Sequence, residues 1–164
     1  MKNLITAIGI LLACAGMAQA KMDVKLGAPW DGKKVPKGQH CALQGGKGST
    51  PPMVVTGLPT GTVMVLVAFN DKSYQPLSTG GGHGQIGFPV KGATAKLPAV
   101  PGMTAKLPGG ARVIKPARAT GKFASKGYLP PCSGGRGNKY SADVKAISAA
   151  GKVLETVTIT IGRY

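Results

Sequence analysis

The sequence contains few acidic residues, few aromatic residues and, after its first twenty positions, no long apolar run. Its 164 residues include 21 Lys and Arg but only 5 Asp and Glu, and Phe, Trp and Tyr together make up 5%. So few carboxylates make a pair for general acid–base catalysis hard to assemble. The shortage of aromatic side chains argues against a surface that stacks nucleic-acid bases. No later segment approaches the roughly 20 apolar residues that cross a bilayer, so no membrane span is expected there.

The first segment, residues 1–20, has the composition of a secretory signal peptide. A short basic start is followed by an apolar run over 4–13 and by the small-x-small sequence AQA, which ends at Ala20. We therefore expect cleavage after Ala20 and an exported product, periplasmic or secreted. The sequence LLAC, which ends at Cys14, offers a lipoprotein processing site as an alternative. Residues 21–164 are long enough for a single domain with its own core, and we predict one domain there.

The cysteines that follow the signal peptide are Cys41 and Cys132. An even pair in an exported chain favours a disulfide, and two free buried thiols are the alternative. The disulfide would close a loop of about ninety residues, which the chain-entropy model values at about 4–5 kcal/mol. His40 and His83 are the only other soft ligands, and the pairing of His40 with Cys41 is a weak metal signal. No metal site and no cofactor are predicted.

Short strand-like segments dominate the chain, and no segment has a sustained 3.6-residue amphipathic pattern with caps. Residues 62–69 form the clearest strand, apolar enough to be buried on both faces. Residues 140–146 and 156–161 alternate polar and apolar side chains on either side of a turn at 149–152, which predicts a hairpin with one face in the core. Trp30, the only tryptophan, is expected to cap that core. The predicted fold class is all-β, an antiparallel β-sandwich with few or no helices after the signal peptide.

Residues 91–116 differ in composition from the rest of the chain. The pentapeptide TAKLP occurs there twice, at 94–98 and at 104–108, with proline and glycine between the copies. Two copies are too few to build a solenoid, so we predict a long, extended, basic surface loop. A short strand over 112–114 is expected at its end.

Three features could contribute to a polar site. Asp71 follows the 62–69 strand, and His83 follows three glycines. The segment 127–140, GYLPPCSGGRGNKY, is rich in glycine and proline, which give an irregular but rigid backbone. Together these features suggest a small polar pocket rimmed by glycine N–H groups, which suits an anionic head group.

Catalysis is not predicted, and no catalytic residue is assigned. The acidic residues other than Asp71 are expected near the N-terminus, at Asp23 and Asp31, or on the solvent face of the hairpin, at Asp143 and Glu155. A hydrolase triad of a serine, a histidine and Asp71 can be written, but no nucleophile elbow accompanies it. The glycine-rich segments lack a phosphate-loop pattern, so nucleotide binding is not supported.

Over residues 40–147 a set of motifs occurs in a fixed order: Cys41, STPPM, LPTGT, Asp71, His83, GYLPPC and Tyr140. This order resembles that of the phosphatidylethanolamine-binding protein family, in particular its bacterial, Raf-kinase-inhibitor-like members. The chain departs from the family in four ways. The second aspartate of the strand-end motif is missing, and the tryptophan after the first histidine is replaced by Gly84. The second histidine is replaced by Asn138, and the short hairpin stands where the family has a helical C-terminus.

The resemblance implies an antiparallel β-sandwich with a small pocket that accommodates phosphate groups, and a binding or inhibitory role without settled enzymatic chemistry. By position it assigns Tyr128, Pro131 and Asn138 to the pocket, beside Asp71 and His83. The predicted function is an exported, non-enzymatic binding protein. Its expected partner is a small phosphate- or carboxylate-bearing ligand, or a phospholipid head group.

The basic charge suggests an alternative role. The formal net charge is +16, spread along the chain with no concentrated block. For an exported protein such a charge would attract anionic lipids and polysaccharides of the cell envelope more than nucleic acid. The alternative is therefore an immunoglobulin-like structural or interaction protein that binds these polyanions through its surface and whose pocket is vestigial.

Overall fold

The computed structural model describes residues 21–164, and within them it contains eight strands and no α-helix. The predicted signal peptide, 1–20, and the alternative processing site at Cys14 lie outside the described residues. In chain order the strands are β1 (Asp23–Leu26), β2 (Met53–Thr56), β3 (Thr62–Asp71), β4 (Gln85–Pro89), β5 (Ala95–Leu97), β6 (Arg112–Lys115), β7 (Lys139–Ser148) and β8 (Val153–Arg163).

The strands form two antiparallel sheets, one with the order β1-β2-β5 and one with the order β6-β4-β3-β7-β8. The all-β, sandwich-like prediction is confirmed at this level. The remaining regular structure consists of three short 3₁₀ helices: Ala42–Gln44, Gln75–Leu77 and Gly121–Phe123. Within residues 21–164, no helix is long and apolar enough to span a membrane.

The core lies between the two sheets and is built from the apolar face of each strand. Strand β3 occupies the centre of the larger sheet, as its apolar, β-branched sequence predicts, and pairs with β4 on one side and β7 on the other. In β7, the predicted inward-facing residues are all buried, and Trp30, which is 4% exposed, belongs to the same core. Residues that dominate this core include Met53, Val55, Val65, Val67, Phe69, Ile86, Val144 and Ile161.

The predicted surface loop over 91–116 is only partly a loop. The first TAKLP copy contributes β5, which pairs with β2 at the edge of the smaller sheet and buries Ala95 and Leu97. The second copy forms no strand, but its Leu107 is half-buried and packs against the core. The strand predicted over 112–114 is present as β6.

The position predicted for Glu155 on the solvent face of the hairpin is wrong. Its register partner across the hairpin is Ala146, which is fully buried, so both side chains lie on the core side. The carboxylate lies at the end of the sheet, where it accepts a hydrogen bond from the backbone N–H of Met22 at 3.1 Å. This contact with Met22, the residue before β1, explains why a charged residue is tolerated on that face.

The register of β3 and β7 determines where the polar residues meet. Asp71, the last residue of β3, pairs with Tyr140, the second residue of β7. The chain leaves β3 through a 3₁₀ helix and returns in β4, while the irregular segment 127–138 leads into β7. Because both connections leave the same end of the sheet, their side chains surround one space.

Candidate functional site

A cavity of about 430 Å³ lies at the end of the larger sheet, where β3 ends and β7 begins. Its wall comes from the end of β3, the loop 74–83, the segment 118–123 and the segment 129–140. Three of the residues predicted for the site, Asp71, His83 and Asn138, line it together. The volume lies within the range typical of small-molecule sites.

Asp71 is the carboxylate of the cavity and is almost completely buried, with 4% exposure. Its Oδ1 accepts a hydrogen bond from the backbone N–H of Ser73 at 2.9 Å, and its Oδ2 accepts one from Nδ2 of Asn138 at 2.7 Å. These two donors compensate part of the cost of burying a charge. Asn138 replaces the histidine that the family resemblance implies, and its amide still holds the aspartate in place.

His83 is buried beside Asp71 and is held by the 127–140 segment. Its Nδ1 lies 2.7 Å from the carbonyl oxygen of Leu129, and the backbone N–H of Leu129 donates to the carbonyl of His83 at 2.8 Å. Burial lowers the pKa of the imidazole, so the ring is neutral at pH 7. Because a carbonyl can only accept, Nδ1 carries the proton and Nε2 is left as an acceptor.

Tyr140 completes the buried polar group. Its ring meets that of His83 edge-on, with centroids 5.3 Å apart, and its hydroxyl oxygen accepts a hydrogen bond from the backbone N–H of Cys132 at 3.2 Å. Burial, with a smaller contribution from the Asp71 carboxylate, raises the pKa of the phenol to about 12. The hydroxyl therefore keeps its proton at neutral pH and can donate it in a hydrogen bond.

The predicted disulfide between Cys41 and Cys132 is present. Cys41 is fully buried, and Cys132 lines the cavity. The backbone N–H of Cys41 also donates to the carbonyl of Pro131 at 3.0 Å. The covalent bond and this hydrogen bond fix the cavity wall to a loop that lies 91 residues earlier in the chain.

Two of the predicted ligand-binding residues, Tyr128 and Pro131, are not among the residues that line the cavity. Pro131 is buried, and its carbonyl is directed at Cys41. Tyr128 is 1% exposed and packs in the sandwich core against Phe69, with ring centroids 4.5 Å apart. Burial raises the pKa of its phenol, whose oxygen has no hydrogen-bond partner among residues 21–164. These two residues support the wall from behind.

Two arginines of the cavity, Arg118 and Arg136, were not predicted. The guanidinium of Arg118 donates to three carbonyl oxygens of the loop 74–83: that of Thr79 at 2.8 Å, that of Pro76 at 3.0 Å and that of Gly80 at 3.4 Å. Three neutral acceptors fix the position of the guanidinium but do not neutralise its charge. Arg136 is exposed and also lines the cavity.

The segments that form the wall, 71–83 and 117–140, are strongly basic. Asp71 is their only acidic residue. Their basic residues are Lys72, Arg118, Lys122, Lys126, Arg136 and Lys139. The sequence shows this excess of basic residues in each segment, but it does not show that the two segments surround one cavity.

The side chains of the cavity do not form a metal site. Within the part of the chain that the structure describes, no group of three or more His, Cys, Asp or Glu residues is placed to hold a metal ion. His40, the histidine next to Cys41, is directed elsewhere: its Nε2 lies 3.0 Å from the carbonyl of Gln44, and its ring stacks on Tyr164. The cavity therefore offers hydrogen-bond donors, acceptors and positive charge.

Comparison with known proteins adds no family assignment. The sequence matches no protein-family model and no curated protein sequence at a significant level. The resemblance to the phosphatidylethanolamine-binding proteins therefore stays a prediction, and the site has to be interpreted from its own geometry.

Proposed function

We propose that this chain is an exported, non-enzymatic binding protein whose cavity takes a small anionic ligand. The observation that carries the proposal is the charge of the cavity wall. Two guanidinium groups line it, and the single carboxylate, Asp71, is already hydrogen-bonded by Ser73 and Asn138. An anion in the cavity would therefore meet a positive field from both arginines and the guanidinium fork of Arg136, which has no hydrogen-bond partner within residues 21–164 and suits carboxylate or phosphate.

The directions of the polar side chains support binding over catalysis. His83 uses Nδ1 on the Leu129 carbonyl, while Asp71 receives its hydrogen bonds from Ser73 and Asn138. The imidazole is therefore oriented by a carbonyl, in contrast to the His–Asp pair of a hydrolase triad. Ser133, the serine of the cavity, donates its hydroxyl to the carbonyl of Tyr164 at 2.6 Å. A nucleophile activated by His83 is thus not assembled from these groups.

The resemblance to the phosphatidylethanolamine-binding proteins is consistent with this proposal. It implies an antiparallel sandwich with a small anion pocket, and it assigns Asp71, His83 and Asn138 to that pocket. These three residues lie together at one cavity. We propose membership of that family as the origin of the site, in a divergent form shortened at the C-terminus.

Titration with inorganic phosphate and acetate tests the proposal. Binding should be detectable by calorimetry and should shift the imidazole resonances of His83 in NMR spectra. Replacing Arg136 by Gln should weaken binding about tenfold, because a charge-assisted hydrogen bond contributes about 1.5–3 kcal/mol. The matched control is Arg112→Gln, which removes an exposed arginine of β6 outside the cavity and should change Kd by less than about twofold. Equal effects of the two substitutions would contradict an anion site in the cavity.

A second candidate function, binding of cell-envelope polyanions, is favoured by exposed lysines that do not line the cavity. Lys33, Lys34 and Lys37 are all exposed, and none of them lines the cavity. Such binding should fall steeply with added salt, because exposed charges are screened. Binding to vesicles that contain phosphatidylglycerol should weaken in a Lys33→Gln, Lys34→Gln, Lys37→Gln variant and remain unchanged in Arg136→Gln. Vesicle binding that does not depend on salt would exclude this role.

A further inference from the structure

The floor of the cavity presents two hydrogen-bond acceptors, the carboxylate of Asp71 and the imidazole of His83, beside the hydroxyl donor of Tyr140. The carboxylate of Asp71 has two hydrogen-bond donors from the protein, which leaves room for further donors on its oxygens. The neutral imidazole of His83 has its proton on Nδ1, so Nε2 can only accept. A ligand group that reaches Asp71 and His83 must therefore donate hydrogen bonds.

A bare phosphate or carboxylate fits this floor poorly. Its oxygens are acceptors. Beside the carboxylate of Asp71 they would place like charges together, and beside Nε2 of His83 they would place two lone pairs together. The anionic group of the ligand is better placed towards Arg118 and Arg136, which supply N–H donors and uncompensated charge. The cavity thus has one end for donors and one for an anion.

The donor group itself can be a hydroxyl or an ammonium, and the electrostatic field discriminates between them. Asp71 is the only acidic residue in the wall segments 71–83 and 117–140, which carry six lysines and arginines. An ammonium group would gain the attraction of Asp71 but would also meet the repulsion of Arg118 and Arg136, which line the same cavity, whereas a neutral hydroxyl meets no such repulsion. Hydroxyl groups are therefore favoured at the floor.

Apolar surface lies beside these polar groups. Tyr74 is 53% exposed at the cavity, and Phe123 is half-buried on the segment opposite. Leu77 and Leu129 add aliphatic surface deeper in the wall. Faces of this kind pack against the C–H groups of a ring whose rim carries hydroxyls.

We infer that the ligand is a small anion that carries hydroxyl groups, of the sugar-acid or sugar-phosphate class, bound with its hydroxyls on Asp71 and His83 and its anionic group at Arg118 and Arg136. This inference rests on the proposed function, because it names the class of ligand for the same cavity. It differs from the head-group expectation in requiring hydroxyl donors and in disfavouring an ammonium.

A calorimetric series at constant ionic strength tests the inference. The probes are D-glucuronate, glucose 6-phosphate, D-glucose, acetate, inorganic phosphate and O-phosphoethanolamine. Glucuronate should bind at least tenfold more tightly than acetate, and glucose 6-phosphate at least tenfold more tightly than phosphate. Glucose and O-phosphoethanolamine should bind more weakly than either sugar anion. The ratio between glucuronate and glucose 6-phosphate shows whether the anionic group is a carboxylate or a phosphate.

Asp71→Asn should have opposite effects on the affinity for glucuronate and on the affinity for acetate or phosphate. The substitution removes acceptor capacity at the floor and one negative charge, so glucuronate should bind about tenfold more weakly while acetate and phosphate bind equally well or better. Arg136→Gln should instead weaken all the anionic probes. If Asp71→Asn does not fold, ¹⁵N spectra of His83 in the wild-type protein test the same contact between the ligand hydroxyls and the floor. Nε2 of His83 should shift upfield in ¹⁵N spectra with glucuronate, as it accepts a hydroxyl proton, and not with acetate.

The outcomes distinguish the inference from the proposed function. If acetate and phosphate bind in a way that depends on Arg136, but added hydroxyls bring no gain, the anion pocket stands and the ligand class inferred here is wrong. Tighter binding of O-phosphoethanolamine than of glucuronate overturns the inference in favour of an ammonium-bearing ligand. If no anionic probe binds, the proposed function itself fails.

Discussion

The interior of the sandwich and its cavity end are built on different principles. Between the sheets, aliphatic and aromatic side chains from regular strands pack on one another, and many neighbours share each contact. At the cavity end, Asp71, His83 and Tyr140 are buried with one or two specific hydrogen bonds each, and their partners come from the irregular segments. The interior therefore depends on the volume and the pattern of apolar side chains, while the cavity end depends on a few hydrogen-bond partners and one covalent bond.

The largest effect is expected from removing the disulfide that holds the cavity end. A Cys41→Ser, Cys132→Ser variant should lose about 4–5 kcal/mol of unfolding free energy, because the bond closes a loop with a sequence separation of 91 residues. Urea denaturation of the variant, and of reduced wild-type protein, should give the same loss. Hydrogen exchange should rise first in residues 127–140. Two titratable thiols in denatured, unreduced wild-type protein would contradict this prediction.

A core substitution in the first TAKLP copy should have the next largest effect. Leu97→Ala should lower the unfolding free energy by about 3 kcal/mol, because Leu97 is 3% exposed in β5. Leu107→Ala is the matched control at the same position of the second copy. Leu107 is half-buried outside any strand, so its loss should stay below about 1.5 kcal/mol. Equal losses would mean that the two copies contribute equally to the interior.

The smallest effect is a pH dependence at the cavity end. Burial lowers the pKa of His83 in the folded state below its unfolded value of about 6.5. The unfolded state therefore binds more protons between these two values, and stability falls as pH falls through about 6.5, by up to about 1.4 kcal/mol per pH unit. Asp71 and Tyr140 are the titratable groups that face the ring, and the phenol of Tyr140, whose pKa is raised to about 12 by burial, keeps its proton throughout this range.

Thermal unfolding between pH 5.5 and 7.5 measures this dependence. The slope of Tm against pH should be positive in the wild-type protein and much smaller in His83→Gln. His40→Gln, which removes a histidine that does not line the cavity and leaves His83 in place, should retain the slope. A slope that survives His83→Gln would assign the dependence to another group.

The two TAKLP copies show directly what a local sequence can and cannot predict. In the first copy Ala95 and Leu97 face the core, because the strand lies along β2. The second copy has the same five residues and forms no strand. Five residues do not determine which strand they pair with, and the free edge of β2 can pair with only one of the two copies. The prediction of a continuous loop failed for this reason.

The site shows the same division between local and long-range information. The sequence predicts Asp71 and His83 from their places beside a strand end and the glycine-rich segments, and the family resemblance adds Asn138; the structure brings all three to one cavity. Tyr128 was assigned to the pocket and instead packs on Phe69, whereas Tyr140, twelve residues later, lines the cavity. Residues 129–138 contain glycines and prolines and do not form a regular strand, so side chains do not alternate between two faces there. The sequence therefore does not predict which of the two tyrosines points into the cavity.

Sequence alone predicts the class of the fold, the central strand, the C-terminal hairpin and the cysteine pair, because alternation of apolar residues and the pairing of two cysteines are properties of short segments or of composition. Three-dimensional contacts determine which TAKLP copy joins a sheet, where Glu155 points and that Arg118 reaches the loop 74–83. These features depend on contacts between residues tens of positions apart, and the free energy of such contacts exceeds any local preference.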